Sequence, residues 1–180
     1  MPWSSLFQPG ERLTAESGLE DWYARLLVRL GGTPQPFELA LLGGLLAATP
    51  GLAFLAGYQA ALRMLWPSAP LSLGALCATE QRSLRVADMQ TRLHDLRLSG
   101  RKDFVTAGNA ADWLLVAARS EEPGADPRLS LAVIYRDEPG VRVEKLAPIP
   151  LMPDISHGRL FLENALCELL AGDGWDAYVK

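Results

Sequence analysis

The sequence predicts an α+β protein in which a short helical segment leads into an antiparallel β-barrel or sandwich. Three observations predict it. Apolar residues recur at three- and four-residue steps only before Pro70. After Pro70 short runs of about six residues alternate apolar and polar, separated by turn residues. At 180 residues, with 49% hydrophobic and 21% charged, the chain is long enough for one full core or two small ones and is too apolar for disorder. The change of texture near Trp66–Pro70 places the boundary between residues 1–67, the helical segment, and 68–180, the β-domain.

The first helix is expected to start at a capping box of Ser17 and Glu20, whose side chains would satisfy orphan backbone donors. Leu19, Trp22, Tyr23, Leu26, Leu27 and Leu30 then fall on one face. Gly31–Gly32 ends the element, because glycine tolerates the left-handed conformation of a helix stop. A second helix is expected from about Pro36 to Ala48. A third begins with Thr49 as cap and Pro50 at the first helical position, and ends near Trp66–Pro67. Both are apolar nearly all round and are expected to be enclosed by other protein. The apolar stretch from Phe37 to Trp66 is long enough to span a bilayer, but Thr49-Pro50-Gly51 divides it and Gln59 and Arg63 follow, so two buried helices are expected instead.

Strands are expected near 71–78, 90–98, 102–106, 112–119, 129–136, 141–148 and 158–164. Leu129, Leu131, Val133 and Tyr135 alternate with Ser130, Ala132, Ile134 and Arg136; Val141 and Val143 alternate with Arg142 and Glu144; Leu96 and Leu98 alternate with Arg97 and Ser99. Turns are expected at Ser99-Gly100, Glu122-Pro123-Gly124 and Glu138-Pro139-Gly140.

Charge and motifs exclude several classes. A net charge of −4 with no basic stripe argues against nucleic acid, whose backbone is bound by displacing counterions. Cys77 and Cys167 form no CxxC pair or Cys/His cluster, so free buried thiols are expected and no metal site. The N-terminus has no basic start followed by an apolar run, which argues against export and for a cytoplasmic protein without a membrane span. There is no GxSxG elbow, HExxH or Gly-rich phosphate loop. His94 and His157 are read as surface or structural histidines. The closeness of Asp154 to His157 in sequence, without a nucleophile, carries little weight. No catalytic residue is assigned.

Two stretches are more informative: Leu76-Cys77-Ala78-Thr79-Glu80, and Ser99 through Trp113, with Gly100, Lys102, Phe104, Val105, Thr106, Gly108 and Ala111-Asp112-Trp113 in order. Together they resemble the middle domain of the flavin-dependent acyl-CoA dehydrogenases, where a strand ending in Thr-Glu is followed by a G-x-K-x-W-I-[ST]-N-[AG] stretch. The resemblance continues in Glu138-Pro139-Gly140-Val141-Arg142-Val143, in Leu160-Phe161-Leu162-Glu163-Asn164 and in the exit Leu169 through Trp175. Upstream, the helices broken by Thr49-Pro50 resemble the end of the family's N-terminal helical domain, so the likeness covers roughly residues 20 to 178.

The resemblance implies FAD as cofactor and acyl-CoA thioesters as substrate class. It assigns Ala78 and Thr79 to the flavin ring edge, whose carbonyls and nitrogens need donors. Phe104 takes the place of the family's tryptophan against the flavin, with Val105 beside it, and Thr106 that of the donor near the hydride-accepting nitrogen. Three departures bear on activity. The family's Pro-Gly-x-Gly-Ser-Asp loop is replaced by Gln81-Arg82-Ser83-Leu84-Arg85-Val86, without glycine, where Arg82 and Arg85 read as solvated. The helical domain that supplies the family's catalytic Glu would follow where the sequence stops. The helical lead-in is also short, leaving the acyl pocket open to water.

These features favour a degenerate acyl-CoA dehydrogenase homologue, inactive alone or dependent on a homo-oligomer or on a partner chain supplying the missing helices. Exposed Leu151, Met152, Leu169, Leu170 and Trp175 would suit such an assembly. An FAD-dependent dehydrogenase active as an oligomer, and a small-ligand or protein-binding β-module without flavin, remain open beside it.

Overall fold

The computed structural model describes residues 11–81, 85–120, 126 and 128–170. Among them are helices α1 (Leu19–Arg29), α2 (Pro36–Leu46) and α3 (Pro50–Leu65). They are followed by strands β1 (Gly74–Cys77), β2 (Arg92–His94), β3 (Arg97–Thr106), β4 (Trp113–Ser120), β5 (Arg128–Tyr135), β6 (Val141–Lys145), β7 (His157–Leu166) and β8 (Glu168–Leu169). The chain forms two compact units. One is the chain up to Leu73 with Pro148–Ile155; the other is Gly74–Ala147 with the residues from Ser156 onward.

In the helical unit, α1 turns Leu19, Trp22, Tyr23, Leu26 and Leu27 inward, as its spacing predicts. Its N-cap is Gly18 rather than Ser17, and no side chain caps it, so the expected Ser17–Glu20 box does not form. Gly18 adopts φ 107, a conformation closed to serine, and this displaces the helix start by one residue. The true carboxylate cap is on α2, where the Glu38 carboxylate accepts the Gln35 N–H at 3.1 Å. Thr49 caps α3 as expected: its Oγ1 accepts the Leu52 N–H at 3.2 Å, and its hydroxyl donates to the Asp154 carboxylate. Asp154 reaches this position because Gly51 has no side chain; a Cβ there would lie 2.3 Å from Asp154 Oδ1. At the other end of α3, Arg63 is buried and donates to Tyr23 Oη, Ala69 O and Pro70 O, satisfying carbonyls where the chain leaves the helix.

Helices α2 and α3 are less enclosed than their composition predicts. They approach through Gly43, where a Cβ would lie 2.6 Å from Ala56 Cβ. That contact buries one stripe of each helix and leaves Phe37, Leu45, Phe54 and Met64 exposed. No helix among the described residues is long and apolar enough to cross a membrane.

The second unit is a curled sheet in the order β6-β7-β3-β2-β4-β5-β8, with β1 on β4. Most neighbours are antiparallel, but β2 meets β4 in parallel at Arg92 and Arg119, and β1 runs parallel to β4, from Gly74 opposite Trp113 to Cys77 opposite Val116. Alternation reports burial on a face, not strand direction, so the sequence could not reveal this pairing. The two strands approach closely where they begin: a Cβ on Gly74 would sit 2.1 Å from the ring of the buried Trp113. The core gathers Ala75, Cys77, Leu98, Val105, Leu114, Val116, Ala132, Ile134, Leu160 and Leu162. Both cysteines are free and buried, and burial pushes the Cys77 thiol up to about 12 and that of Cys167 to about 11.

Two further expectations are corrected. The hairpin turn lies at Asp95–Leu96, both at positive φ (47 and 56), joining His94 to its partner Arg97. Ser99–Gly100 is not a turn but an irregularity inside the single strand β3, so the runs expected at 90–98 and 102–106 are divided differently. Leu96 is therefore exposed, and its alternation with Leu98 is fortuitous. The turn before β6 forms as expected, with Gly140 at φ 88. The expected turn at Glu122-Pro123-Gly124 lies outside the described residues, as do Arg82, Trp175 and the exit sequence after Leu170.

Candidate functional site

The site is built by one irregularity in β3. Against β7, Lys102 faces Leu160 and Val105 faces Gly158, so Asp103 and Phe104 together oppose the single residue Arg159. This is a β-bulge, which bends a strand and re-aims its side chains. Before it, Leu98 and Lys102 point inward; after it, Val105 does. The extra residue therefore turns Phe104 outward, leaving it 41% exposed. Its ring lies over that of the buried His157, centroids 4.5 Å apart and planes 29° from parallel.

Phe104 lines an open depression of about 500 Å³ with Thr79, Gln81, Asp103 and Arg159. Its two sides are stitched by backbone and carboxylate: the Asp103 N–H donates to Thr79 O at 2.9 Å, and the Gln81 N–H to Asp103 Oδ2 at 2.7 Å. Asp103 Oδ1 is 2.8 Å from Arg101 Nε and 3.5 Å from Arg159 Nε. Gln81 has φ 44, a left-handed turn conformation.

Behind these residues lies a buried charge pair. Lys102, fully buried, donates to Glu80 Oε1 at 2.6 Å and to Ala78 O at 3.3 Å. Glu80 Oε2 also accepts the Gln90 N–H at 2.5 Å, and Oε1 the Thr91 N–H at 3.2 Å. Burial alone would raise the Glu80 carboxyl, but Lys102, Thr91 and Gln90 outweigh it and hold it below the usual carboxylate range. Burial pulls the Lys102 ammonium below its usual range, with Glu80 opposing. The segment at Thr91 can approach because Gly100 has no Cβ; one there would be 2.5 Å from Thr91 Cα. That explains the glycine of the Gly-x-Lys motif.

Of the five residues expected at a cofactor, Thr79 and Phe104 line the depression. Thr106 is half-buried two residues beyond Phe104 and does not line it. Ala78 and Val105 turn their side chains into the interior, with Ala78 O taken by Lys102. Sequence reading missed Gln81, Asp103 and Arg159, which no motif marks, and the pairing of Lys102 with Glu80, although both stood within the quoted motifs. His94 is exposed beside Asp95. His157 is a structural histidine beneath Phe104, and Asp154 is engaged at Thr49. Among the described residues no cluster of three or more His, Cys, Asp or Glu could hold a metal ion.

The arrangement suits a planar aromatic ligand. Phe104 offers a flat apolar surface, and the Arg159 guanidinium and the Thr79 and Gln81 side chains offer donors at its edge. The isoalloxazine ring, planar with carbonyls along one edge, fits these residues. The amides of Gln81 and Asp103 are already used within the fold.

Residues 75–165, half of the chain, match the family model described as acyl-CoA dehydrogenase, middle domain. Among solved structures, butyryl-CoA dehydrogenase from Megasphaera elsdenii superposes with a TM-score of 0.68 at 17% identity, covering 89% of this chain and 52% of that one. An acyl-CoA dehydrogenase from Geobacillus kaustophilus gives 0.62 at 20% identity, with 89% and 52% covered. An FAD complex of PigA gives 0.67 at 15%, with 93% and 52% covered. The chain thus spans about half the length of these structures. No curated protein matches it. The order of the Thr-Glu and Gly-x-Lys motifs, the curled mixed sheet that brings them together and the family match agree: the chain belongs to the acyl-CoA dehydrogenase family, of which it carries the middle domain.

Proposed function

We propose that the depression beside Phe104 receives the isoalloxazine ring of FAD, and that the chain serves acyl-CoA oxidation as part of a larger assembly. The observation that carries this reading is the bulge, which turns an aromatic face outward between Thr79 and Arg159. Phe104 stacks on the ring, Arg159 and Thr79 orient its polar edge, and His157 backs Phe104 from below. When bound, FAD supplies the hydride acceptor for oxidation of the acyl chain.

The carboxylate lining the depression is Asp103, and it is held by the Gln81 amide, Arg101 and Arg159. So engaged, it is not free to take the α-proton of a thioester. We therefore assign that step to a group outside the described residues. The exposed apolar side chains of α2 and α3 suit association within the larger assembly. Two free buried cysteines fit a reducing, cytoplasmic setting.

Titration of the purified chain with FAD, followed by flavin fluorescence and absorbance, tests the reading. Saturable quenching is expected, weakened about tenfold in Phe104→Ala, the loss of ~1.4 kcal/mol of stacking and contact. Flavin fluorescence unchanged at millimolar FAD overturns it. Thermal stabilisation by CoA esters without flavin would replace it with a ligand-binding β-module.

A further inference from the structure

We propose that Lys102 and Glu80 are positioning residues, whose buried pair sets the spacing and rigidity of the two segments that grip the ligand. The inference deepens the flavin reading and rests on it for the identity of the ligand, but its geometry stands in the ligand-free protein. Along one wall the chain alternates: Ala78 inward, Thr79 at the depression, Glu80 inward, Gln81 at the depression. Along the other, Lys102 is inward and Asp103 and Phe104 follow at the depression. Each wall is therefore fixed from behind by a member of the pair.

The pair reaches further than an ordinary ion pair. Lys102 Nζ binds both Glu80 and the carbonyl of Ala78, so one ammonium fixes two points on the opposite wall, either side of Thr79. Glu80 in turn draws in the amides of Gln90 and Thr91. Three segments, 78–80, 90–91 and β3, are thus clamped at one buried point. A buried pair of this kind adds little stability over well-packed apolar residues, because desolvation offsets the attraction. What it does supply is a fixed distance and direction, which apolar side chains do not. Rigid support of this sort holds a binding constellation in register.

The test separates positioning from stability. Lys102→Met and Glu80→Gln each strand a buried partner and should lower Tm; Lys102→Met/Glu80→Met should recover much of that loss. In the ligand-free double variant, amide hydrogen exchange is expected to rise about tenfold at Gln81 and Asp103, whose N–H groups stitch the walls, with strands β4 and β5 unchanged. Exchange unaltered at those two amides overturns the proposal, and so does a uniform rise across the sheet, which would mark a merely structural pair. If the double variant does not fold, the same comparison is made in Glu80→Gln. In a second arm, FAD should bind the double variant about tenfold more weakly than the wild type, while equal affinity overturns the role in ligand binding. A wild type that binds no flavin removes the flavin reading alone, and the exchange measurement still decides the pair.

Discussion

Gly100→Ala tests the packing on which the site depends. Gly100 has φ 146, a region that residues with a Cβ rarely adopt, and holding alanine there costs about 2 kcal/mol. Its new Cβ would lie 2.5 Å from Thr91 Cα and 2.6 Å from Thr91 Oγ1. The nearest atom is backbone, so a rotamer change cannot relieve the clash; separating the two strands costs about 2 kcal/mol more. The sum, about 4 kcal/mol, is a large fraction of the stability of an ordinary domain. At roughly 3 °C per kcal/mol for a chain of this size, Tm should fall by roughly 12 °C in a circular-dichroism melt. The displaced segment carries the amides of Gln90 and Thr91, so the variant should also lose protection from exchange at those positions. A fall of less than about 3 °C, with exchange at Thr91 unchanged, would refute the claim that Gly100 admits this close approach.

Further outcomes follow from other positions. Two adjacent glycines of α2 should respond oppositely. Gly43→Ala meets Ala56 Cβ at 2.6 Å and should destabilise by about 1–2 kcal/mol, whereas Gly44→Ala enters open space and should stabilise by about 1 kcal/mol in urea unfolding. Leu96→Asn replaces an exposed leucine at φ 56 by a residue that tolerates the left-handed region, and should raise stability by about 1 kcal/mol. Glu80 sits below its ordinary value of 4.5 in the folded chain, so its contribution is complete above that pH and lost as pH falls through the lower, folded value. Wild-type stability should therefore decline below about pH 4.5 more steeply than that of Glu80→Gln, and parallel acid limbs would contradict the assignment.

Part of the candidate site was legible because its signals are local. Thr79 and Phe104 stand in short motifs of the middle domain and both line the depression, and Gly100 stands out as a motif glycine. What was not legible needed the third dimension. The bulge is defined by Arg159, 55 positions after Phe104, and by the register of β7. No short-range pattern distinguishes a strand with a register shift from two strands with a turn, so Ser99–Gly100 has the sequence of a turn although it lies within β3, at a second irregularity. Gln81 and Arg159 carry no motif and gain meaning only by lining one depression.

By itself the sequence determined the helical lead-in, the Thr49–Pro50 start of α3, the β-rich remainder and the family likeness, since each rests on periodicity, caps or short motifs fixed by neighbouring residues. Only the tertiary structure decided which strands are parallel, that Lys102 and Glu80 meet in the interior, and that Phe104 faces outward over His157. Those outcomes depend on register and close approach between segments far apart in the chain, as at Gly74 and Gly100.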